Sequence, residues 1–424
     1  MSKLQPARGT RDIYGDDARH MRAVTDAFQR VAASYGFEEL ATPIFEFTEV
    51  YKRPLGETSD IVSKEMYSFE SSAREAGDKE PEELTLRPEF TAGVCRSFIS
   101  NGMQQNLPCR FMSWGPAFRR ERPQKGRYRQ FHQINAELLG QANPEADVDI
   151  IAMAWRLLNE LGLGDKVVLH LNSLGDQESR AQYRDDLVTY FSEHKDELSE
   201  DSIRRLESNP LRILDSKDEG DRAIVANAPL MSASMNDESK AFFETVQAGL
   251  SAIGVPFKHD ERLVRGMDYY CHTAFEFITT ELGAQGTVLA GGRYDGLIEQ
   301  LGGPATPGIG WAGGIERLAM LSMQGTQPDR PVMLMPMGEA ATIKAFELAE
   351  DMRSAGATVI SDRTGNLKKR MNRANKADAR YAVILGENEL ENSVVTVKNL
   401  DEGSQTEVPF SALAAAVTSG GGEA

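Results

Sequence analysis

Residues Phe118 to Glu137 read FRRERPQKGRYRQFHQINAE, and the fold turns on this stretch. Arg119, Arg120, Arg122, Lys125, Arg127 and Arg129 are opposed only by Glu121, in a chain whose net charge is -17. Pro123 and Gly126 punctuate the middle, where a turn is required. The flanks, SWGPAFRR before and YRQFHQINAELLG after, alternate apolar or aromatic side chains with polar ones, the period of extended strands. Two antiparallel strands joined by a basic loop are therefore expected. Arginines directed inward from paired strands would hold an anion rigidly, because guanidinium is a planar fork that matches phosphate. Taken alone, the same run also fits a solvated, charged hairpin. Its meaning depends on partner stretches elsewhere.

Upstream, LTLRPEFTAGVCRSFI places a short strand before RPEFT and a helix from about Ala92, with Thr91 available as its cap. Glu89 then lies at a helix N-terminus, where a carboxylate either complements the dipole or awaits an ammonium group. Nearer the N-terminus, Met21, Val24, Phe28 and Val31 give Ala18 to Tyr35 helical amphipathicity. YGFEELATPIFEF follows as a turn at Gly36 and a strand containing Pro43, which belongs on an edge or at a bulge. Ser71 to Glu83 reads as a charged, mobile loop.

Downstream, Pro144 to Leu161 reads as an amphipathic helix and VVLHLNSLG as a strand. Residues 176–258 are helix-rich and strongly charged, with no cluster of aromatics or glycines, and read as an inserted helical domain without chemistry. ERLVRGMDYYCHTAFEFITT returns to a β pattern. AGGRYDGL reads as a glycine-rich turn before a helix. PGIGWAGGIERL reads as a glycine-rich strand entering a helix at about Gly314, its small residues leaving room for a ligand to lie flat on the sheet. After a linker, Gly325 to Pro331, strands and helices alternate through residue 415, as in an α/β unit with a largely parallel sheet. Its helix NLKKRMNRANKADA is basic. Residues 416–424 are expected to form a disordered tail.

Composition narrows the class. A chain of 424 residues suits two or three domains. Hydrophobic content of 41% and charged content of 26% are those of a soluble globular protein. No apolar run is long enough to span a bilayer, and MSKLQPARGTRDIYG lacks the apolar core of a secretory signal. Cys95, Cys109 and Cys271 form no CxxC pair, which argues against a disulfide framework or a zinc site and fits a reduced, cytoplasmic setting. A pI near 5.0 speaks against a DNA-coating protein. It leaves room for an enzyme that keeps basic patches only where RNA touches it.

FRRERPQKGRYRQFHQ resembles the motif 2 hairpin of class II aminoacyl-tRNA synthetases in the form found in histidyl-tRNA synthetases. RPEFT, LVRGMDYY, AGGRYDGL and GIERL extend the resemblance in order from Arg8 to about residue 415, and LVRGMDYY and AGGRYDGL are the stretches peculiar to that family. The resemblance implies a catalytic domain over residues 1–325 with a mainly antiparallel sheet (an α+β fold), interrupted by the helical insertion, and a C-terminal α/β anticodon-binding domain over 331–415. It implies that Arg119 and Arg265 grip the α-phosphate of ATP from two sides and that Arg317 holds the γ-phosphate with help from Arg127. It implies further that Glu89, Thr91 and Gln133 meet the histidine ammonium, and that Glu137, Tyr269 and Tyr270 line the imidazole pocket. Mg²⁺ would enter bridging the outer phosphates of ATP, with no metal site in the protein itself. Arg122 and Lys125 in the hairpin loop, and Lys368, Lys369, Arg370 and Arg373 in the basic helix, would contact tRNA(His). A homodimer is implied, with its interface near Ala18 to Phe47, and neither membrane nor DNA is an expected partner. Phe90, Cys271 and His272 depart modestly from the family's pattern, and Phe90 is positioned in sequence to tighten the pocket.

Three other readings fit parts of the chain. Regulatory subunits of ATP phosphoribosyltransferase resemble the catalytic domain but sense histidine without catalysis. They typically lack the C-terminal domain and lose catalytic arginines, whereas Arg119, Arg265 and Arg317 all stand here. A threonyl or prolyl enzyme would not carry LVRGMDYY and AGGRYDGL. A non-catalytic RNA-binding protein would be basic. Arg265 separates chemistry from fold most sharply. If it merely paired with Asp268 or Glu261 its removal would cost at most about 1 kcal/mol. If it acts on the α-phosphate, its removal should slow adenylation and leave the melting temperature nearly unchanged.

Overall fold

The structure, a computed structural model, describes residues 4–56, 59, 61–71, 82–124, 126–265, 269–283, 286–322 and 329–418. It contains two compact units, Met1–Thr326 and Gln327–Ala424.

Strand periodicity organises the larger unit. Its strands are β1 (Glu38–Glu39), β2 (Phe45–Phe47), β3 (Tyr67–Glu70), β4 (Glu83–Leu86), β5 (Cys109–Phe118), β6 (Gln130–Leu139), β7 (Val168–Ser173), β8 (Phe257–His259), β9 (Cys271–Ile278), β10 (Thr287–Arg293) and β11 (Gly308–Gly314). Eight of them form one sheet in the order β1-β5-β6-β11-β10-β9-β7-β8. The pairs β1/β5 and β7/β8 are parallel. The other five are antiparallel, so the sheet is mainly antiparallel as expected. The basic stretch forms the hairpin β5–β6, with Cys109 opposite Leu139 and Phe118 opposite Gln130. A bridge between Gln124 and Arg127 closes its tip, and Gly126 takes the left-handed φ of 75° that the turn requires.

Alternation along β6 divides its side chains between two environments. Ile134, Ala136 and Leu138 are fully buried in a cluster with Phe28, Ile150 and Leu157, which come from the helices Asp16–Ser34 and Glu145–Glu160. Phe28 meets Trp311 of β11 edge-on at 5.5 Å. Gln133 and Glu137 point the other way, Gln133 onto the wall of a cavity and Glu137 fully buried beneath it. On the next strands inward, a buried pair ties β10 to the helix Glu145–Glu160. Arg293 and Asp147 are both fully buried, and Arg293 also donates to the Gln141 carbonyl at 2.9 Å.

Several local expectations change. The single strand expected across YGFEELATPIFEF is two short strands in two sheets, β1 in the large one and β2 in the order β2-β4-β3. Pro43 falls in the connection between them, where its missing N–H breaks no ladder. AGGR is strand interior, not turn. A Cβ on Gly291 would come within 2.2 Å of the Gly310 carbonyl oxygen, and one on Gly292 within 2.6 Å of the Thr273 carbonyl oxygen. The glycines therefore allow close strand approach. Residues 176–258 are helical between β7 and β8, from Gln177–Glu193 to Asp237–Ala252. Tyr183, Leu187, Phe191, Val246 and Leu250 of this segment belong to the same apolar cluster as Phe28 and Ile134.

The smaller unit carries β12 (Val332–Pro336), β13 (Val359–Ser361), β14 (Tyr381–Leu385), β15 (Val394–Asn399) and β16 (Gln405–Pro409), in the order β13-β12-β14-β15-β16. β12, β13 and β14 are parallel, but β15 and β16 add an antiparallel edge, so the sheet is mixed. The last helix, Phe410–Thr418, runs beyond residue 415 because Leu413 and Val417 pack into the core. Residues 419–424, Lys125, the loop residues 72–81 and linker residues 323–328 lie outside the described residues.

The basic helix is Leu367–Lys376. Arg370 does not face solvent as expected of an RNA contact. It is buried and donates to the carbonyls of Gly365 and Arg363, each at 3.0 Å, and to that of Pro336. It lies on the helix face that covers the sheet beside buried Ala374. Arg373 forms a two-point pair with Asp362 at 2.6 and 2.8 Å. Lys368, Lys369 and Lys376 are exposed.

Candidate active site

A cavity of about 800 Å³ opens on the face of the large sheet opposite the packed helices. Every catalytic and substrate residue expected from the sequence in the larger unit lines it: Arg119, Arg127, Arg265, Arg317, Glu89, Thr91, Gln133, Tyr269 and Tyr270, with Glu137 just beneath. Of the other hairpin cations, Arg122 is exposed. Arg129 is turned toward the N-terminal segment, where it donates to the Arg8 carbonyl at 3.3 Å. The basic run is therefore not one cradle. Only the arginines that flank its two strands' ends on the cavity side, Arg119 and Arg127, enter it.

Glu89 stands where the strand–helix junction predicts. Its carboxylate accepts the backbone N–H groups of Thr91 at 2.7 Å and Ala92 at 2.9 Å, so Glu89, not Thr91, caps the helix Thr91–Ser100. Burial raises its pKa against the pull of these amides and of Arg119. The segment before it is clamped. Arg87 donates to the Pro116 carbonyl at 2.7 Å and the Thr42 carbonyl at 2.9 Å, with its guanidinium over the Phe90 ring at 4.0 Å. Arg119 donates through Nε to the Pro88 carbonyl at 2.9 Å. Phe90 thus packs under Arg87 and does not tighten the pocket. Cys271 and His272 line a separate cavity of about 590 Å³.

The carboxamide oxygen Oε1 of Gln133 and Nε of Arg265, both buried on residues of the cavity wall, have no hydrogen-bond partner among the described residues. Buried polar groups are almost always paired, so each is a candidate point of contact for a ligand. Gln133 offers an acceptor and Arg265 a donor. Arg265 is otherwise held by Glu276 at 2.6 Å and lies over the Tyr270 ring at 5.0 Å. Glu276 also accepts from Thr287 Oγ1 at 2.8 Å. A purely structural role for Arg265 would have paired it with Asp268 or Glu261. Asp268 is outside the described residues, and Glu261 accepts from Ser232 at 2.6 Å.

Arg317 starts from the helix Ile315–Ser322 and donates to the Thr287 carbonyl. Burial and the nearby charge of Arg127 depress its pKa. Two guanidiniums close enough to oppose each other's charge raise the local positive potential, against which Glu121 and Glu276 act. Beside Arg317, Glu316 accepts the His132 backbone N–H at 2.9 Å and meets His132 Nδ1 at 2.8 Å, tying this helix to the hairpin. Sequence reasoning assigned no role to Glu316, Glu276 or Tyr294. It also excluded chemistry from the helical segment, yet Arg205, Arg212, Asp215 and Lys217 of that segment line the cavity. Their charges gave no local signal, because only the folded path brings them over the sheet.

A family profile described as Histidyl-tRNA synthetase matches residues 9–318, and one described as Anticodon binding domain matches residues 331–419. The chain is 54% identical over 414 residues to a histidine–tRNA ligase of Rhodospirillum rubrum, covering 97% of this chain and 98% of that one. It is 52% identical over 420 residues to one of Gluconobacter oxydans, with 99% and 100% covered. The solved structure of apo histidyl-tRNA synthetase from S. aureus is 34% identical and superposes with a TM-score of 0.80, over 98% of this chain and 99% of that one. The chain belongs to the histidyl-tRNA synthetase family.

The Arg265–Glu276 pair changes how the arginine should be tested. Arg265→Ala leaves Glu276 half-buried without its cation, so the melting temperature should fall and activity alone would not separate the roles. Arg265→Lys keeps a charge for Glu276 and should preserve the melting temperature, yet it lacks the planar fork. Amino-acid activation by Arg265→Lys should still be slowed roughly tenfold or more, and by Arg265→Ala roughly thirty- to a thousandfold. Arg265→Lys activating within about twofold of wild type in pre-steady-state kinetics would remove Arg265 from the chemistry.

Proposed function

We propose that the chain is a histidine–tRNA ligase whose first step is carried by the charges of this cavity. Histidine and ATP give histidyl-adenylate: a carboxylate oxygen of histidine attacks the α-phosphorus, and the bond to the bridging oxygen breaks to release pyrophosphate. Both reactants are anionic, so neutralisation and positioning account for the acceleration. Arg119 and Arg265 contact the α-phosphate from two sides, and Arg317 with Arg127 holds the outer phosphates. The orphaned acceptor of Gln133 and the orphaned donor of Arg265 in one cavity carry this reading. They match an ammonium and an anion in the same ligand. Gln133, Glu89 and Thr91 take the ammonium, while Glu137, Tyr269 and Tyr270 take the imidazole, whose N–H needs an acceptor.

In the second step the histidyl group passes to the terminal ribose hydroxyl of tRNA. Arg122 and Lys125 on the hairpin loop and Lys368, Lys369 and Arg373 on the C-terminal helix are the proposed RNA contacts. Among the described residues no group of three or more His, Cys, Asp and Glu gathers to hold a metal ion. Mg²⁺ is proposed to arrive on the phosphates of ATP, whose hard oxygens suit it. Among the described residues no helix is long and apolar enough to cross a membrane. The three cysteines are free, which supports a cytoplasmic setting. A homodimer is supported by Phe45, Phe47 and Phe69, exposed on one face of the three-stranded sheet, with Phe45 and Phe69 edge-on at 6.3 Å. The helix Asp16–Ser34 spends its apolar face on the chain's own core, so the strand carries the interface.

Three measurements test these assignments. Purified protein should exchange pyrophosphate into ATP with histidine and with no other amino acid; exchange driven by another amino acid would displace the substrate assignment. Lys368→Glu with Lys369→Glu should lower tRNA charging roughly tenfold at moderate salt, through lost phosphate attraction, and leave exchange unchanged. Equal loss of both activities would mean the helix acts through the fold. Sedimentation at micromolar concentration should give a dimer that Phe45→Glu with Phe47→Glu converts to monomer; a wild-type monomer rules the interface out.

A further inference from the structure

We infer that Tyr294 sets the selectivity of this pocket for the substrate's ring by holding Glu137 as an acceptor, an inference that rests on the histidine-ligase reading above. Tyr294 follows β10 in the AGGRYDGL stretch and is 1% exposed. Its hydroxyl donates to Glu137 Oε2. The other carboxylate oxygen accepts from Thr91 Oγ1 and, at 3.0 Å, from Asn135 Nδ2. Three neutral donors from three elements thus converge on one fully buried carboxylate.

The backbone is shaped for this contact. A Cβ on Gly310 would lie 1.7 Å from Glu137 Oε2, and one on Gly308 would lie 2.3 Å from the Tyr294 ring. The glycines of β11 therefore make room for Tyr294 and Glu137, and not only for a flat ligand. The tyrosine cannot swing away: its N–H donates to the Gly308 carbonyl at 2.7 Å, and its ring meets Tyr269 edge-on at 5.9 Å.

Other groups act on Glu137 from every side. Cys95 faces it from the helix Thr91–Ser100, Glu89 from the junction before that helix, and Tyr269 and Tyr270 from the segment before β9. Glu89 is an acid and opposes a second negative charge. Burial pushes Glu137 up to about 7, against the pull of Thr91, Tyr294 and Asn135. The carboxylate form, which accepts an imidazole N–H, is thus in balance with the acid near neutral pH, and its donors keep that balance from shifting further toward the acid. Removing one donor raises the folded-state pKa further. The acceptor form is then lost as pH falls through a higher value, so the acid limb of histidine use moves to higher pH.

Tyr294→Phe keeps the ring and its packing and removes only the hydroxyl. Near pH 7 it should raise the KM for histidine roughly ten- to a hundredfold, the effect of one hydrogen bond to a charged group, while the KM for ATP stays within about twofold. The acid limb of kcat/KM for histidine should move upward, so that the defect shrinks at about pH 8.5. A triazole analogue of histidine, whose ring does not titrate in this range, separates this limb from the substrate's own. Because Tyr294 acts through Glu137, adding Tyr294→Phe to Glu137→Gln should raise the histidine KM little further. Additive losses, or an unmoved acid limb, would overturn the inference and leave Tyr294 as packing. Wild-type enzyme that shows no histidine-dependent exchange would instead overturn the ligase reading itself.

Discussion

Guanidiniums gathered around one cavity are the constraint on which the rest of this structure depends. Arg119, Arg127, Arg265 and Arg317 come from the hairpin, from the segment before β9 and from the helix after β11. Their mutual repulsion is a cost that the fold must offset. The chain answers with short local ties. Arg119 donates to a carbonyl, Arg127 pairs with Glu121 at 2.6 Å, and Arg265 pairs with Glu276. Each tie fixes the direction of a guanidinium. In the proposed reaction, charges fixed in this way would need no reorganisation as the phosphorus is attacked.

The acceptor end of the cavity solves the converse problem. Glu89 and Glu137 are buried, and a buried carboxylate needs donors. Glu89 takes them from the first turn of a helix, so the contact that caps the helix also fixes the carboxylate proposed to meet the ammonium. Glu137 takes them from side chains on three different elements. The sheet order places the strand bearing Glu137 between the hairpin partner β5 and the glycine-rich β11. Position in the sheet, the missing side chains of β11 and the donors around Glu137 are therefore one arrangement.

Much of this was legible in the sequence because the signals were local. The period-two alternation around FRRERPQKGRYRQFHQINAE gave the hairpin, and the 3.6-residue spacing of Val24, Phe28 and Val31 gave the N-terminal helix. RPEFT placed Glu89 at a helix start. The misses share a cause. Glu276 and Tyr294 act through partners 11 and 157 residues distant, and nothing in TAFEFIT or GGRYDGL names those partners. Arg370 reads as one cation among several in a basic helix, yet its position on the helix turns it onto the sheet and consumes its donors in carbonyl contacts. The charged helical segment reads as solvent-facing, yet its Asp215 and Lys217 reach the cavity. Glycine-rich AGGR reads as a turn because glycine is commonest there, whereas here it permits close strand approach.

Gly310 and Glu137 amount to one volume shared between two strands. A Cβ on Gly310 would lie 1.7 Å from Glu137 Oε2 and 2.5 Å from the Ala136 carbonyl oxygen, so shortening residue 137 alone would not admit a side chain there. Position 310 is closed by the neighbouring strand's backbone as well as by the carboxyl. A pocket rebuilt for a smaller or uncharged amino acid would have to fill any space left at 137 from some other position.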